Sequence, residues 1–217
     1  MENRPDFSDY LVHFTKSSRP CGWGRSNKAN KFAMGSARDR LISILTEKTI
    51  KCSQQVWVGK DAVCFTECIW GSLLSHANKY SGYGIGFTKA FLFQQGGNPV
   101  FYIRPNLFNN VQNNIAEEVK IFLTPFQPTY SEDPMPNNRR YVDYSHEREW
   151  RVPHDVMFAY NDIEFVIVQS LSDLKHPKFS PLVKQIGEQK FIVMDNYKKI
   201  EQIWPVHKID NEKKTIK

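Results

Sequence analysis

A chain of 217 residues can bury a sizeable core and favours one large domain over two. With 13% aromatic and 24% charged residues it reads as globular, which excludes a disordered or fibrous protein. A formal charge of +6 and a pI near 9.1 fit contact with an anion or a nucleic acid, as would a uniform scatter of lysines.

No apolar run follows Met1-Glu2-Asn3-Arg4, and none elsewhere is long enough to cross a bilayer, so a soluble cytoplasmic protein without a membrane role is expected. Cys21, Cys52, Cys64 and Cys68 form neither a CxxC pair nor a disulfide framework. Cys64 and Cys68 with His76 lack a second ligand pair at metal-binding spacing, so free buried thiols and no metal are expected.

Leu11-Val12-His13-Phe14-Thr15 reads as a first strand, with Val12 and Phe14 on one face and His13 and Thr15 on the other. Ser36 with Asp39 gives a capping-box start to a helix whose apolar stripe is Leu41, Ile44 and Leu45. Residues 50–58 are expected to form a strand through Val56-Trp57-Val58, and Ala62-Val63-Cys64-Phe65 a second one. Thr66 is a candidate N-cap for a helix carrying Ile69, Trp70, Leu73, Leu74 and Ala77. Tyr83, Ile85 and Phe87 fall on one face of a strand whose glycines permit close approach; a dinucleotide fingerprint is rejected because its third glycine is missing.

Pro99 to Ile103 reads as an apolar strand, and Asn106 as the cap of a helix with Val111, Ile115, Val119 and Phe122. A proline-rich loop from Pro125 leads to Tyr144-Ser145-His146-Glu147-Arg148-Glu149-Trp150-Arg151-Val152-Pro153, read as a strand. Alternation would put Glu147, Glu149 and Arg151 on one face and Arg148, Trp150 and Val152 on the other. Two carboxylates beside a guanidinium, held by packing behind them, form either a preorganised site or an exposed strand with a surface ion pair. Further strands are expected at Phe165-Val168, Phe191-Met194 and Ile200-Val206, with a helix around Phe179 to Ile186. The sum is an α+β domain over residues 1–207, with a split, mostly antiparallel sheet flanked by helices, and a basic tail over 208–217.

The segments Leu11-Val12-His13-Phe14-Thr15, Val63-Cys64-Phe65-Thr66-Glu67, Tyr83-Gly84-Ile85-Gly86-Phe87 and Glu147-Arg148-Glu149-Trp150-Arg151 resemble, in that order, AbiGi-like abortive phage infection proteins. The resemblance spans roughly residues 8–153; residues 154–207 carry no assigned role. The same order also looks like an ADP-ribosyltransferase of the DarT kind, with His13 where some transferases carry an arginine.

That second resemblance implies a NAD-dependent mono-ADP-ribosyltransferase toxin or effector, with NAD as co-substrate. Glu149 would stabilise the oxocarbenium charge and Glu147 would orient or deprotonate the acceptor. His13, Phe14 and Thr15 would hold NAD, Tyr83 and Phe87 would flank nicotinamide, and Arg151 would fix Glu149. Arg139, Arg140 and Tyr141 in the preceding loop would contact a nucleic-acid acceptor. The bland alternatives are a satisfied strand histidine at position 13 and core aromatics at 83 and 87. The rival function is a non-catalytic antitoxin, sensor or nucleic-acid-binding partner in such a system, and the protein partner expected is an antitoxin or a phage-derived protein.

Overall fold

The computed structural model describes residues 8–17, 35–67, 80–130 and 141–203. β1 (Tyr10–Phe14) forms where the apolar run was expected. Ser36 then caps α1 (Ala37–Glu47) with a complete capping box: its hydroxyl accepts from the Asp39 amide, and the Asp39 carboxylate accepts from the Ser36 amide. The helix ends where Lys48 turns left-handed at φ 51°.

β2 (Thr49–Ile50) and β3 (Ser53–Gln54) are short, and Val56-Trp57-Val58 lies in the turn after them, contrary to the strand expected there. Gly59 at φ +66° and the bonds Gly59 N–H to Gln55 O and Gln55 N–H to Lys60 O close that turn, so β-branched propensity yields to turn geometry. β4 runs Asp61–Glu67. Thr66 is therefore a strand residue, not the N-cap expected of it, and the helix assigned to Ile69–Ala77 lies outside the described residues.

β5 (Gly84–Thr88) leads directly into α2 (Lys89–Gln94), whose N-cap Thr88 accepts from the Phe91 amide. A Cβ at Gly86 would sit 2.5 Å from the Phe165 ring, so the close approach allowed by this glycine is used by a neighbouring strand. The expected strand over 99–103 divides into β6 (Asn98–Pro99) and β7 (Phe101–Ile103), which join different sheets.

Pro105, not Asn106, opens α3 (Pro105–Asn114), with Arg104 at the cap. The stripe from Val111 to Phe122 is broken at Ile115, which is extended, and α4 (Glu117–Lys120) restarts with two acidic residues in its first turn. β8 (Leu123–Pro125) follows. The acidic stretch is only half strand: Ser145–Glu147 is a 3-10 turn, Arg148 is left-handed at φ 43°, and β9 covers Glu149–Val152.

β10 (Val156–Met157) precedes β11 (Phe165–Val168), α5 (Leu171–Leu174), α6 (Ser180–Ile186) and β12 (Phe191–Val193). α7 (Met194–Ile203) replaces the strand expected from Ile200; the apolar residues Met194, Tyr197, Ile200 and Ile203 recur at helical spacing. The tail over 208–217 lies outside the described residues.

The main sheet has the order β12-β11-β5-β1-β4-β9-β6, with β3 also on β4. Its pairings are antiparallel except β11 with β12, so the α+β class and the mostly antiparallel sheet hold, but the path is continuous where a split was expected. Leu41, Ile42 and Leu45 of α1, Leu92 of α2, and Leu182, Val183 and Ile186 of α6 pack with Leu11, Phe65, Ile85 and Phe87 in the larger core. Val12, Phe14, Ile167 and Met194 form a second cluster.

Candidate functional site

The short 3-10 turn determines where Glu147 goes. Asp143 accepts from both the amide and the hydroxyl of Ser145, and Arg148 reverses the chain behind it. β9 then pairs with β4, placing Glu149 opposite Thr66 and Arg151 opposite Cys64, while Val12 of β1 faces Thr66 from the other side. These pairings gather β1, β4 and the acidic turn around one cavity of about 410 Å³, which His13, Phe14, Thr15, Glu147 and Glu149 help to line. The acidic turn and the first strand, remote in sequence, share one concavity.

Within it Glu149 is fully engaged with Arg151: Nε donates to Oε1 at 2.8 Å and Nη2 to Oε2 at 3.1 Å. Arg151 is 2% exposed and also donates to Ile121 O, Leu123 O and Thr124 Oγ1. Burial disfavours its charge, yet the adjacent Glu149 carboxylate raises the guanidinium pKa above its ordinary value. The pair thus ties β9 to β8 and the residues before it, and behaves as a buried structural ion pair.

Glu147 is 7% exposed. Its partner on the cavity wall is Tyr80, whose phenol is pushed far up, chiefly by burial and then by its hydrogen bond to Glu147. Phe14 stacks on Tyr80 with centroids 5.9 Å apart, and Lys16 Nζ lies 4.2 Å from the centre of the same ring. His13 lines the same cavity: its Nδ1 is 2.9 Å from Cys64 O, and its ring meets Phe65 edge-on. Burial lowers the His13 pKa, against the Cys64 carbonyl, and the Arg40 charge lowers it further. Burial also raises the Cys64 thiol well above its usual value, with Glu149 adding to the shift and Arg151 opposing it, so the sulfur is a poor nucleophile.

The other expected positions separate. Phe87 is 0% exposed within the core, stacked on Phe91, and does not reach the cavity. Tyr83 turns its hydroxyl to Asp173 and lines a different cleft; burial first, then Asp173, raises that phenol to about 12. The Thr15 hydroxyl donates to Ala37 O at 2.8 Å, tying β1 to the start of α1. Arg139 and Arg140 lie outside the described residues, and Tyr141 is exposed beside the bridge between Gln127 and Val142. Nothing local in the sequence marks Tyr80 and Arg40; both reach the cavity only through tertiary folding.

Among the described residues there is no group of three or more metal-ligating side chains, and no helix is long and apolar enough to cross a membrane. Residues 42–173, more than half of the chain, match the family of abortive phage resistance protein AbiGi, antitoxin. The chain belongs to the AbiGi family. No curated protein and no solved structure matches it.

The AbiGi family description overturns the expectation of a NAD-dependent ADP-ribosyltransferase toxin, because it names an antitoxin. The nucleic-acid acceptor expected for that activity loses its ground with it. The match begins within α1 and ends in α5, so it includes the acidic turn, β9 and the cavity residues Ser43, Ile44 and Glu47 of α1, while β1 and Arg40 lie before it.

Proposed function

We propose that this AbiGi chain is the antitoxin of an abortive phage infection system, binding a toxin partner and holding it inactive without itself performing bond chemistry. The observation that carries this reading is the family match over residues 42–173. The engagement of both Glu149 oxygens by Arg151 and the sealing of Phe87 in the core support it, since both residues serve the scaffold.

The charge of the chain suits a protein partner with acidic character. A chain of net charge +6 attracts such a partner and speeds encounter. Within the matched region Phe93 and Met157 stand 65% and 70% exposed, and Phe101, Leu107 and Leu171 also face solvent, giving apolar side chains to anchor a complex. The test is co-purification: the tagged chain, produced together with the product of an adjoining gene as candidate toxin, is expected to carry that protein through affinity and size-exclusion steps at fixed stoichiometry. Separate elution of the two proteins at low salt would refute the reading.

A further inference from the structure

Six charged side chains line the large cavity, and their signs balance: Lys16, Arg40 and Lys51 against Glu47, Glu147 and Glu149. They are also engaged. Glu149 is paired with Arg151, Lys51 with Asp155 at 3.2 Å, and Glu47 accepts from the Ser43 hydroxyl at 2.6 Å. Glu147 accepts from the Tyr80 phenol, Lys16 lies over that ring, and Arg40 is not free either. A charged ligand would give up its hydration for groups already matched, so the cavity favours an uncharged occupant.

Two polar groups of the lining are not matched in this way. The ladder between β1 and β4 stops at Val12 and Thr66, although β1 stays paired with β5 through Phe14. There the His13 ring, not its backbone, reaches Cys64 O. That carbonyl can only accept, so Nδ1 carries the proton and Nε2 of the neutral ring carries a lone pair. Burial, which lowers the His13 pKa, keeps the ring neutral at neutral pH. Among the described residues nothing donates to Nε2. Thr66 is 6% exposed, and its hydroxyl likewise has no hydrogen-bond partner among the described residues. A buried hydroxyl left so costs free energy that a ligand completing it would recover.

We propose that the cavity binds a small uncharged aromatic alcohol, whose hydroxyl donates to His13 Nε2 and accepts from Thr66 Oγ1. A hydroxyl is the one uncharged head that answers a lone pair and a second hydroxyl with a single atom. An amine or a carboxylic acid of the same shape would carry charge at neutral pH. The aromatic body is placed against Val12, Phe14, Ile44, Ile50 and Phe65, which supply the apolar lining. The volume of about 410 Å³ falls in the range of sites that enclose small molecules. Occupancy of the cavity does not require the toxin, so this reading and the antitoxin reading can fail separately.

The experiment is an NMR titration of the full chain at neutral pH with 2-naphthalenemethanol, 2-naphthoate, 2-naphthylmethylammonium and 2-methylnaphthalene, which share one ring system and differ in the head. The alcohol is expected to move the His13 ring resonances and to bind more tightly than each of the others, by about tenfold or more against the two charged heads. Thr66→Val and His13→Phe should each weaken the alcohol about fivefold, the loss of one neutral hydrogen bond, and leave the hydrocarbon no weaker than in wild type. The circular dichroism spectrum of each variant reports folding, and Thr66→Val keeps the proposal testable if His13→Phe does not fold. Absence of binding by the alcohol, equal or tighter binding of any other member of the set, or unchanged alcohol affinity in folded Thr66→Val would overturn it.

Discussion

Glu149 and Arg151, two residues apart on β9, are joined by two parallel hydrogen bonds of 2.8 and 3.1 Å in an almost sealed position. Removing one partner of such a pair leaves a buried charge without compensation, which costs about 3–5 kcal/mol. Arg151→Ala also strips donors from Ile121 O and Leu123 O. It is expected to lower the urea midpoint sharply, with Glu149→Gln milder because its amide oxygen still accepts. Equal, small shifts in both variants would show that the pair does not hold β9.

His13 gives a pH signature. Burial lowers its folded pKa below the ordinary 6.5, so the unfolded chain takes up the proton first as pH falls. This group's contribution is intact above 6.5 and is lost as pH falls from there toward the folded value. Wild type should therefore lose more stability than His13→Gln between about pH 7.5 and about pH 5.5. Denaturation midpoints at both pH values check this, and parallel loss in the two proteins would contradict it.

Gly86 tests the packing of β5 against β11. Its missing Cβ is occupied by the Phe165 ring at 2.5 Å. Gly86→Ala should destabilise by about 1–3 kcal/mol through overpacking. Adding Phe165→Leu should recover part of that loss in the same unfolding assay; a strictly additive double mutant would place the cost elsewhere.

What could be read from the sequence followed local chemistry. The Ser36 and Asp39 capping box, the apolar runs of β1, β4 and β11, and the facing of Glu149 with Arg151 each arise within a few residues, and each formed as expected. Strict alternation misled at Glu147, because Asp143 capped a turn and Arg148 took a left-handed conformation before the strand began. Glu147 still reached the cavity, by a turn and not by strand geometry. Phe87 satisfied the pattern of a strand face, but that face was the core. Tyr80 and Arg40 were invisible, since only the sheet order that sets β1 between β5 and β4 brings distant segments together.

The proposed antitoxin role is tested most directly by growth of a bacterial host expressing this chain alone, the toxin partner that co-purifies with it alone, or both together. The chain alone is expected to leave growth unchanged, the toxin alone to arrest it, and co-expression to restore it. Arrest by this chain alone, or unrelieved arrest when the two folded proteins are present together, would contradict it.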